Sequence, residues 1–260
     1  CKFRAARTMW FDIMNDYNPK NPKSSMLRFH TQTSGVTLTA QQPMNNTIRV
    51  AFQALSAVLG GTQSLHTNSY DEAIGLPTDD AVTIALRTQQ IIESEIGVID
   101  FPNIFNGSKV IDDLTNNLIR DSKIIMDDIA KLGGAMNCVK SGYQQRIIHE
   151  SAWKHLKGVE SGDINVIGVN KHVSEGDKTL EAQKIEIEAT QNQIEKLMNF
   201  KLNRNDKIVK KALQNLRDTC NSEENIMESI IDAIRSKATL GEINGVMRDV
   251  FGTWVSPSGV

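Results

Sequence analysis

Three cysteines in 260 residues, at positions 1, 138 and 220, are too few and too widely spaced for a disulfide framework or a zinc site. They read as packing residues of a reduced, cytoplasmic protein. Charge of one sign is also lacking. Lys plus Arg is 29 and Asp plus Glu is 31, for a formal net charge of -2, so there is no large uniform field for a general nucleic-acid surface. No apolar run approaches the roughly 20 residues that span a bilayer, and the opening residues do not read as a signal peptide. Neither nucleic acid nor membrane is expected as a partner. The five histidines, at 30, 66, 149, 155 and 172, never pair at metal-ligand spacing on one element, so no metal site is expected. A G-x-S-x-G elbow and a C-x-x-C pair are both missing. Gly60-Gly61 follows a helical pattern rather than a strand and lacks the Walker lysine and the Rossmann spacing, which makes it a helix stop rather than a phosphate loop.

What is present is ordinary globular composition, 40% hydrophobic and 23% charged, arranged in alternating periods. Phe3, Ala6, Met9, Trp10, Ile13 and Met14 fall at helical spacing over Phe3–Tyr17. The sequence opens inside this helix-like stretch, which predicts a piece cut from a longer chain. Ser25–Thr33 reads as a buried strand, Asn45–Leu59 as an amphipathic helix and Thr62–Thr67 as a second strand. Thr78 is placed to cap a helix running to about Ile96, with Asp79 and Asp80 favourable in its first turn. Helices are expected at about Leu114–Leu132 and Met136–Ser161, and one more strand at Ile164–Val169. His172–Thr179 is polar and reads as a linker. Four helices follow, at Ile185–Phe200, Asp206–Thr219, Glu223–Ser236 and Leu240–Phe251, the last opened by a capping box at Thr239 and Glu242.

The first hundred residues thus alternate helix and strand, the pattern of parallel βαβ units. In such folds the residues at the C-terminal strand ends face the ligand. The polar clusters His30-Thr31-Gln32-Thr33 and Gln63-Ser64-Leu65-His66 fall at those ends and are candidates for a pocket of hydrogen-bonding side chains, though structural histidines would look the same. His149 and His155, on a charged helix, should face solvent. Lys20, Lys23 and Arg28 form a basic cluster before the first strand, either a solvated face or, beside a ligand mouth, a grip on phosphates.

Two long stretches resemble a known family. Arg28-Phe29-His30-Thr31-Gln32-Thr33-Ser34-Gly35, followed by Leu38-Thr39-Ala40-Gln41-Gln42-Pro43 and Asn45-Asn46, resembles a signature of the methylmalonyl-CoA mutase large chain. Gly60-Gly61-Thr62-Gln63-Ser64-Leu65-His66-Thr67-Asn68-Ser69-Tyr70-Asp71-Glu72-Ala73, with Leu76-Pro77-Thr78, resembles a second. Arg87-Thr88-Gln89, Gly168-Val169-Asn170-Lys171, Thr239-Leu240-Gly241-Glu242 and Val250-Phe251-Gly252 are similar to further landmarks. The resemblance implies an α/β fold: the C-terminal part of a (β/α)8 TIM barrel over residues 1–172, then a helical extension over 173–260. It implies a radical carbon-skeleton isomerisation of an acyl-CoA thioester with adenosylcobalamin as cofactor. Lys23, Arg28, His30, Gln63 and Ser64 would bind CoA, with Lys23 near its phosphates. Gln32, Gly35, Glu72 and Ala73 would face the corrin ring. The implied partners are the acyl-CoA substrate, a cobalamin-binding small subunit or domain, the N-terminal half of the barrel, and further copies in an oligomer.

The family's catalytic tyrosine, histidine and arginine belong to the N-terminal half, and its Asp-x-His-x-x-Gly cobalamin motif is absent, so no catalytic residue is assigned and the isolated fragment is expected to be inactive. Where the family has Asp-Pro-(aromatic)-Gly-Gly-Ser-Tyr, this chain reads Asn103-Ile104-Phe105-Asn106-Gly107-Ser108-Lys109, and Val36 stands where many members have tryptophan. The alternatives left open are a sister mutase acting on isobutyryl-, 2-hydroxyisobutyryl- or ethylmalonyl-CoA, and a catalytically silent structural paralogue. A cobalamin-handling role is weaker, because it would usually need a nucleotide-binding loop.

Overall fold

In the computed structural model the described residues, 1–174 and 187–255, form two compact units, one in each range. The first opens with α1 (Lys2–Asp16), close to the expected helix. The strand expected from Ser25 is shorter than its sequence suggested. Pro22–Ser25 instead forms a 3-10 turn, because Asn21 Oδ1 accepts from the backbone N–H of Lys23 and Pro22 suits the first helical position. Trp10 Nε1 donates to the carbonyl of Ser24 at 3.0 Å and ties that turn to α1. The extended chain pairs only from His30 onward.

Strand β1 (His30–Gln32), helix α2 (Asn45–Leu59) and strand β2 (Ser64–His66) form the expected βαβ unit. The strands are parallel, with His30 opposite Ser64, Thr31 opposite Leu65 and Gln32 opposite His66. Helix α3 (Asp79–Ser94) follows, with Thr78 Oγ1 accepting from the N–H of Ala81 as the sequence required. Val50, Ala54 and Ala57 on α2 and Ala81, Ala85 and Ile92 on α3 are buried. Their spacing gives each helix one apolar stripe, and the alanines let the two helices approach closely.

Gly60 and Gly61 do more than stop α2. A Cβ on Gly60 would lie 2.6 Å from Phe3 Cδ2, and Gly61, at φ +78°, sits beside the guanidinium of Arg7. The pair lets α1 lie against the end of α2, where Arg7 donates to the carbonyls of Gly60 (2.8 Å) and Gly61 (3.4 Å).

Helix α4 (Lys109–Lys131) begins earlier than expected. The single helix expected over Met136–Ser161 is two, α5 (Ala135–Lys140) and α6 (Tyr143–Ser161), because Gly142 adopts φ +75° between them. The third strand is not formed. Gly168, at φ +83°, turns the chain, its N–H donates to the Lys171 carbonyl at 2.8 Å, and only an isolated bridge joins Ile167 to Lys171. The Asn170 side chain takes up the backbone groups a strand would have offered, accepting from Val166 N–H and donating to the carbonyls of Val159 and Ile164. Arg49, donating to the Ile167 carbonyl at 2.7 Å, and Gln42, donating to that of His172 at 3.0 Å, hold this turn against the start of α2. The expected linker lies mostly outside the described residues.

The second unit contains α7 (Ile187–Leu202), α8 (Asp206–Cys220), α9 (Ile226–Arg235) and α10 (Leu240–Phe251). Val209, Leu216, Cys220, Ala233, Ala238, Ile243 and Val246 make one core among α8, α9 and α10. The capping box at Thr239 and Glu242 is present. Among the described residues the fold is therefore mostly helical with one small parallel sheet, and no helix is long and apolar enough to cross a membrane.

Candidate functional site

In the β1–β2 ladder, alternate residues face opposite sides. Thr31 and Leu65 are half-buried on one side, while His30, Gln32, Ser64 and His66 are exposed together on the other. The register makes these four a single polar face: His30 stands opposite Ser64 and Gln32 opposite His66. The polar clusters expected at the strand ends therefore make up the ladder itself.

His30 Nδ1 and Ser64 Oγ are 2.7 Å apart, and the histidine as a whole is exposed. Gln63 acts differently. Its Oε1 accepts from the Phe29 N–H at 2.9 Å and its Nε2 donates to the Gly61 carbonyl at 2.7 Å, so its amide joins the entries of the two strands. Below the ladder, Thr31 Oγ1 and Thr62 Oγ1 are 2.7 Å apart. These two half-buried hydroxyls are each other's partners, which offsets their loss of water.

A second cluster gathers around Asn68, which is 2% exposed. Asn68 Oδ1 accepts from Gln32 Nε2 at 2.9 Å, its Nδ2 donates to the Thr33 carbonyl at 3.0 Å, and its backbone N–H donates to Thr33 Oγ1 at 2.9 Å. Gly35 lies against it: a Cβ there would be 3.1 Å from Asn68 Nδ2 and 3.5 Å from Glu72 Oε1. Gln32, Gly35 and Glu72, which the resemblance assigns to the corrin face, are near one another around Asn68, with Glu72 and Ala73 exposed on the adjoining turn. Asp71 sets that turn. It is 4% exposed, and its Oδ2 accepts from the N–H (2.9 Å) and Oγ1 (3.1 Å) of Thr78 at the head of α3.

Lys23 and Arg28 are exposed, Lys23 on the 3-10 turn and Arg28 two residues before β1. Among the described residues no hydrogen bond or ion pair links either to the His30–Ser64 group. His149 and His155 are exposed on α6, as their helix suggested. Sequence reasoning missed Asn68 as the organising residue. The available signal was an amide two positions after a strand, inside the run Thr67-Asn68-Ser69, all three of which are buried.

This geometry sits in a chain with close relatives. The family model described as methylmalonyl-CoA mutase matches residues 1–253. The methylmalonyl-CoA mutase of Rhizobium meliloti is 39% identical over 257 residues, which is 98% of this chain and 36% of that protein. The mitochondrial methylmalonyl-CoA mutase of Homo sapiens is 39% identical over 254 residues, 96% of this chain and 34% of that protein. The Escherichia coli methylmalonyl-CoA mutase is 36% identical over 256 residues, 98% of this chain and 36% of that protein. The chain spans about a third of the length of these curated relatives. A match running through both units, across the ladder that carries His30 and Ser64 and the capping box that carries Glu242, establishes that the chain belongs to the methylmalonyl-CoA mutase family.

Proposed function

We propose that this chain is part of an adenosylcobalamin-dependent acyl-CoA mutase that interconverts methylmalonyl-CoA and succinyl-CoA. In this reading the chain supplies one wall of the CoA channel and part of the corrin-facing surface, within a barrel completed by strands outside it. The observation that carries the reading is the exposed polar face of the ladder. Parallel strands are normally buried on both faces, yet His30, Gln32, Ser64 and His66 stand open and in register. Both outer edges of the two-stranded sheet also lack a strand partner among the described residues. A pantetheine arm, with two amides and a thioester, would meet His30 and Ser64 by hydrogen bonding, while Lys23 and Arg28 would meet the CoA phosphates.

The corrin edge carries amide side chains, and the residues assigned to it suit that chemistry. Gln32 and Glu72 offer exposed acceptors, and glycine at 35 keeps the surface between them flat, where a Cβ would press on Asn68. When bound, adenosylcobalamin supplies the radical that the rearrangement needs. The residues of this chain orient the thioester and, with the completed barrel, exclude water from the reacting carbons.

The test is His30→Ala in the complete mutase assembly. His30 is exposed, so its loss leaves the fold intact. The apparent affinity for the acyl-CoA should fall about tenfold, on the order of one hydrogen bond. Unchanged affinity would remove the ladder from the channel. The chain alone should show no mutase turnover, and turnover without any added subunit would sink that division of labour. A second reading, a silent structural paralogue, is favoured by the altered segment at 103–109. Here Asn103, at φ +59°, spends its side chain on Arg4 at 2.8 Å, and Gly107 adopts φ +79°. Failure of the complete assembly to turn over any acyl-CoA would select it.

A further inference from the structure

Away from the ladder, a groove of about 980 Å³ runs between α1, the end of α2, the 98–104 segment and α4. Its floor holds two guanidiniums, Arg4 and Arg7, one turn apart on the same face of α1, where like charges repel. The groove has a single carboxylate, Asp112, half-exposed and 3.4 Å from Arg4. Arg7 donates only to backbone carbonyls, at Gly60 and Gly61, and has no carboxylate partner among the described residues. Burial, with the charge of Arg4 beside it, pushes the Arg7 guanidinium below its usual value. The cation is therefore partly desolvated with no counter-charge of its own, a state that an incoming anion relieves. The rim is of the opposite character: Ile99, Phe101 and Ile104 are exposed there, 67%, 67% and 47% respectively, around an opening of ligand size.

We propose that this groove binds an amphiphilic organic anion, with one carboxylate head between Arg7 and Arg4 and an apolar tail across Ile99, Phe101 and Ile104. The two halves of the ligand follow from the two halves of the groove. Arg7, with no carboxylate partner among the described residues, and Arg4, held by Asp112 at 3.4 Å and by Asn103 Oδ1 at 2.8 Å, select the head, and the exposed aliphatic and aromatic rim selects the tail. Asp112 competes with the head for Arg4, so it should weaken binding. The site is distinct from the ladder and does not depend on the mutase reading.

The experiment titrates the complete native protein with decanoate by calorimetry, alongside acetate (head only) and decanol (tail only). Decanoate should bind saturably at one site, at least tenfold more tightly than either half-ligand. Arg4→Gln should weaken decanoate about tenfold. Asp112→Asn, at a half-exposed position where folding is not at risk, should tighten it several-fold. Equal binding of decanol and decanoate would reduce the groove to apolar adsorption and overturn the proposal. Decanoate binding that does not change in both Arg4→Gln and Asp112→Asn would overturn it too, as would no binding at all.

Discussion

The unit at 187–255 and the unit at 1–174 use side chains in opposite ways. In the helical unit, α8, α9 and α10 turn their apolar stripes inward on one core, and its chief polar network is turned inward as well. The Arg204 side chain is only 7% exposed and grips Glu242 through two bonds of 2.7 and 2.6 Å, while also reaching the Lys237 carbonyl at 3.1 Å. In the ladder unit, the apolar stripes of α2 and α3 are equally orderly, but the sheet beside them presents histidine, glutamine and serine outward. The helical unit spends its polar groups on itself. The ladder unit holds several in reserve, and unspent hydrogen-bonding capacity on a rigid strand is what a binding surface requires.

The comparison breaks most visibly at the core of the helical unit. Leu216 is fully buried among Val209, Ala233 and Ile243. Leu216→Ala should cost about 3 kcal/mol, from lost burial plus the cavity left behind. Urea unfolding followed by a probe in that unit should show the loss, while amide hydrogen exchange at the β1–β2 ladder stays as it was. A cost under about 1 kcal/mol would mean that these helices do not share a tight core.

The Arg204–Glu242 pair sharpens the contrast through pH. The hydrogen bonds from Arg204 outweigh the burial that opposes them and, with the N–H and hydroxyl of Thr239, pull the Glu242 carboxyl from 4.5 down to about 2. The same pairing raises Arg204. A carboxyl depressed in the folded state contributes stability that is complete above its unfolded value and is lost as pH falls through its folded one. The helical unit should therefore lose on the order of 2 kcal/mol between pH 4.5 and 2, a loss that Glu242→Gln abolishes by removing the contribution at every pH. Parallel acid-unfolding curves for the parent and Glu242→Gln would contradict the assignment.

The sequence was most legible where local rules decide the outcome. Helix α2 runs over the expected Asn45–Leu59, α10 over Leu240–Phe251, Thr78 caps α3, and Thr239 with Glu242 forms the capping box. Side chains within four residues of each other settle these features. Legibility failed where long-range partners or glycine geometry decide. Ile164–Val169 has the apolar content of a strand, but Gly168 at a positive φ and the Asn170 side chain satisfy its backbone locally, and no neighbouring strand is offered. Residues 25–29 likewise read as strand but stay unpaired. In the site, the residue types and their alternation were visible, whereas the role of Gln63 in joining the strand entries depends on a pairing between residues 34 apart in sequence.

The finest test of the contrast is Asn68, where the ladder unit, as at Asp71, spends its polar groups as the helical unit does. Its side chain gives Gln32 an acceptor and the Thr33 carbonyl a donor, which holds the exit of β1 against the turn after β2. Asn68→Ala leaves both groups without a partner and should cost about 1–2 kcal/mol. Hydrogen exchange should rise at Gln32 and Thr33 and stay level in α8–α10. Asn68→Asp separates the two contacts, because a carboxylate still accepts from Gln32 but repels the Thr33 carbonyl. If exchange in Asn68→Asp rises at Thr33 alone, the donor contact orders the strand exit. If neither variant changes exchange in the ladder, Asn68 does not hold β1 and β2 in register, and the polar face of His30, Gln32, Ser64 and His66 is fixed by its backbone pairing alone.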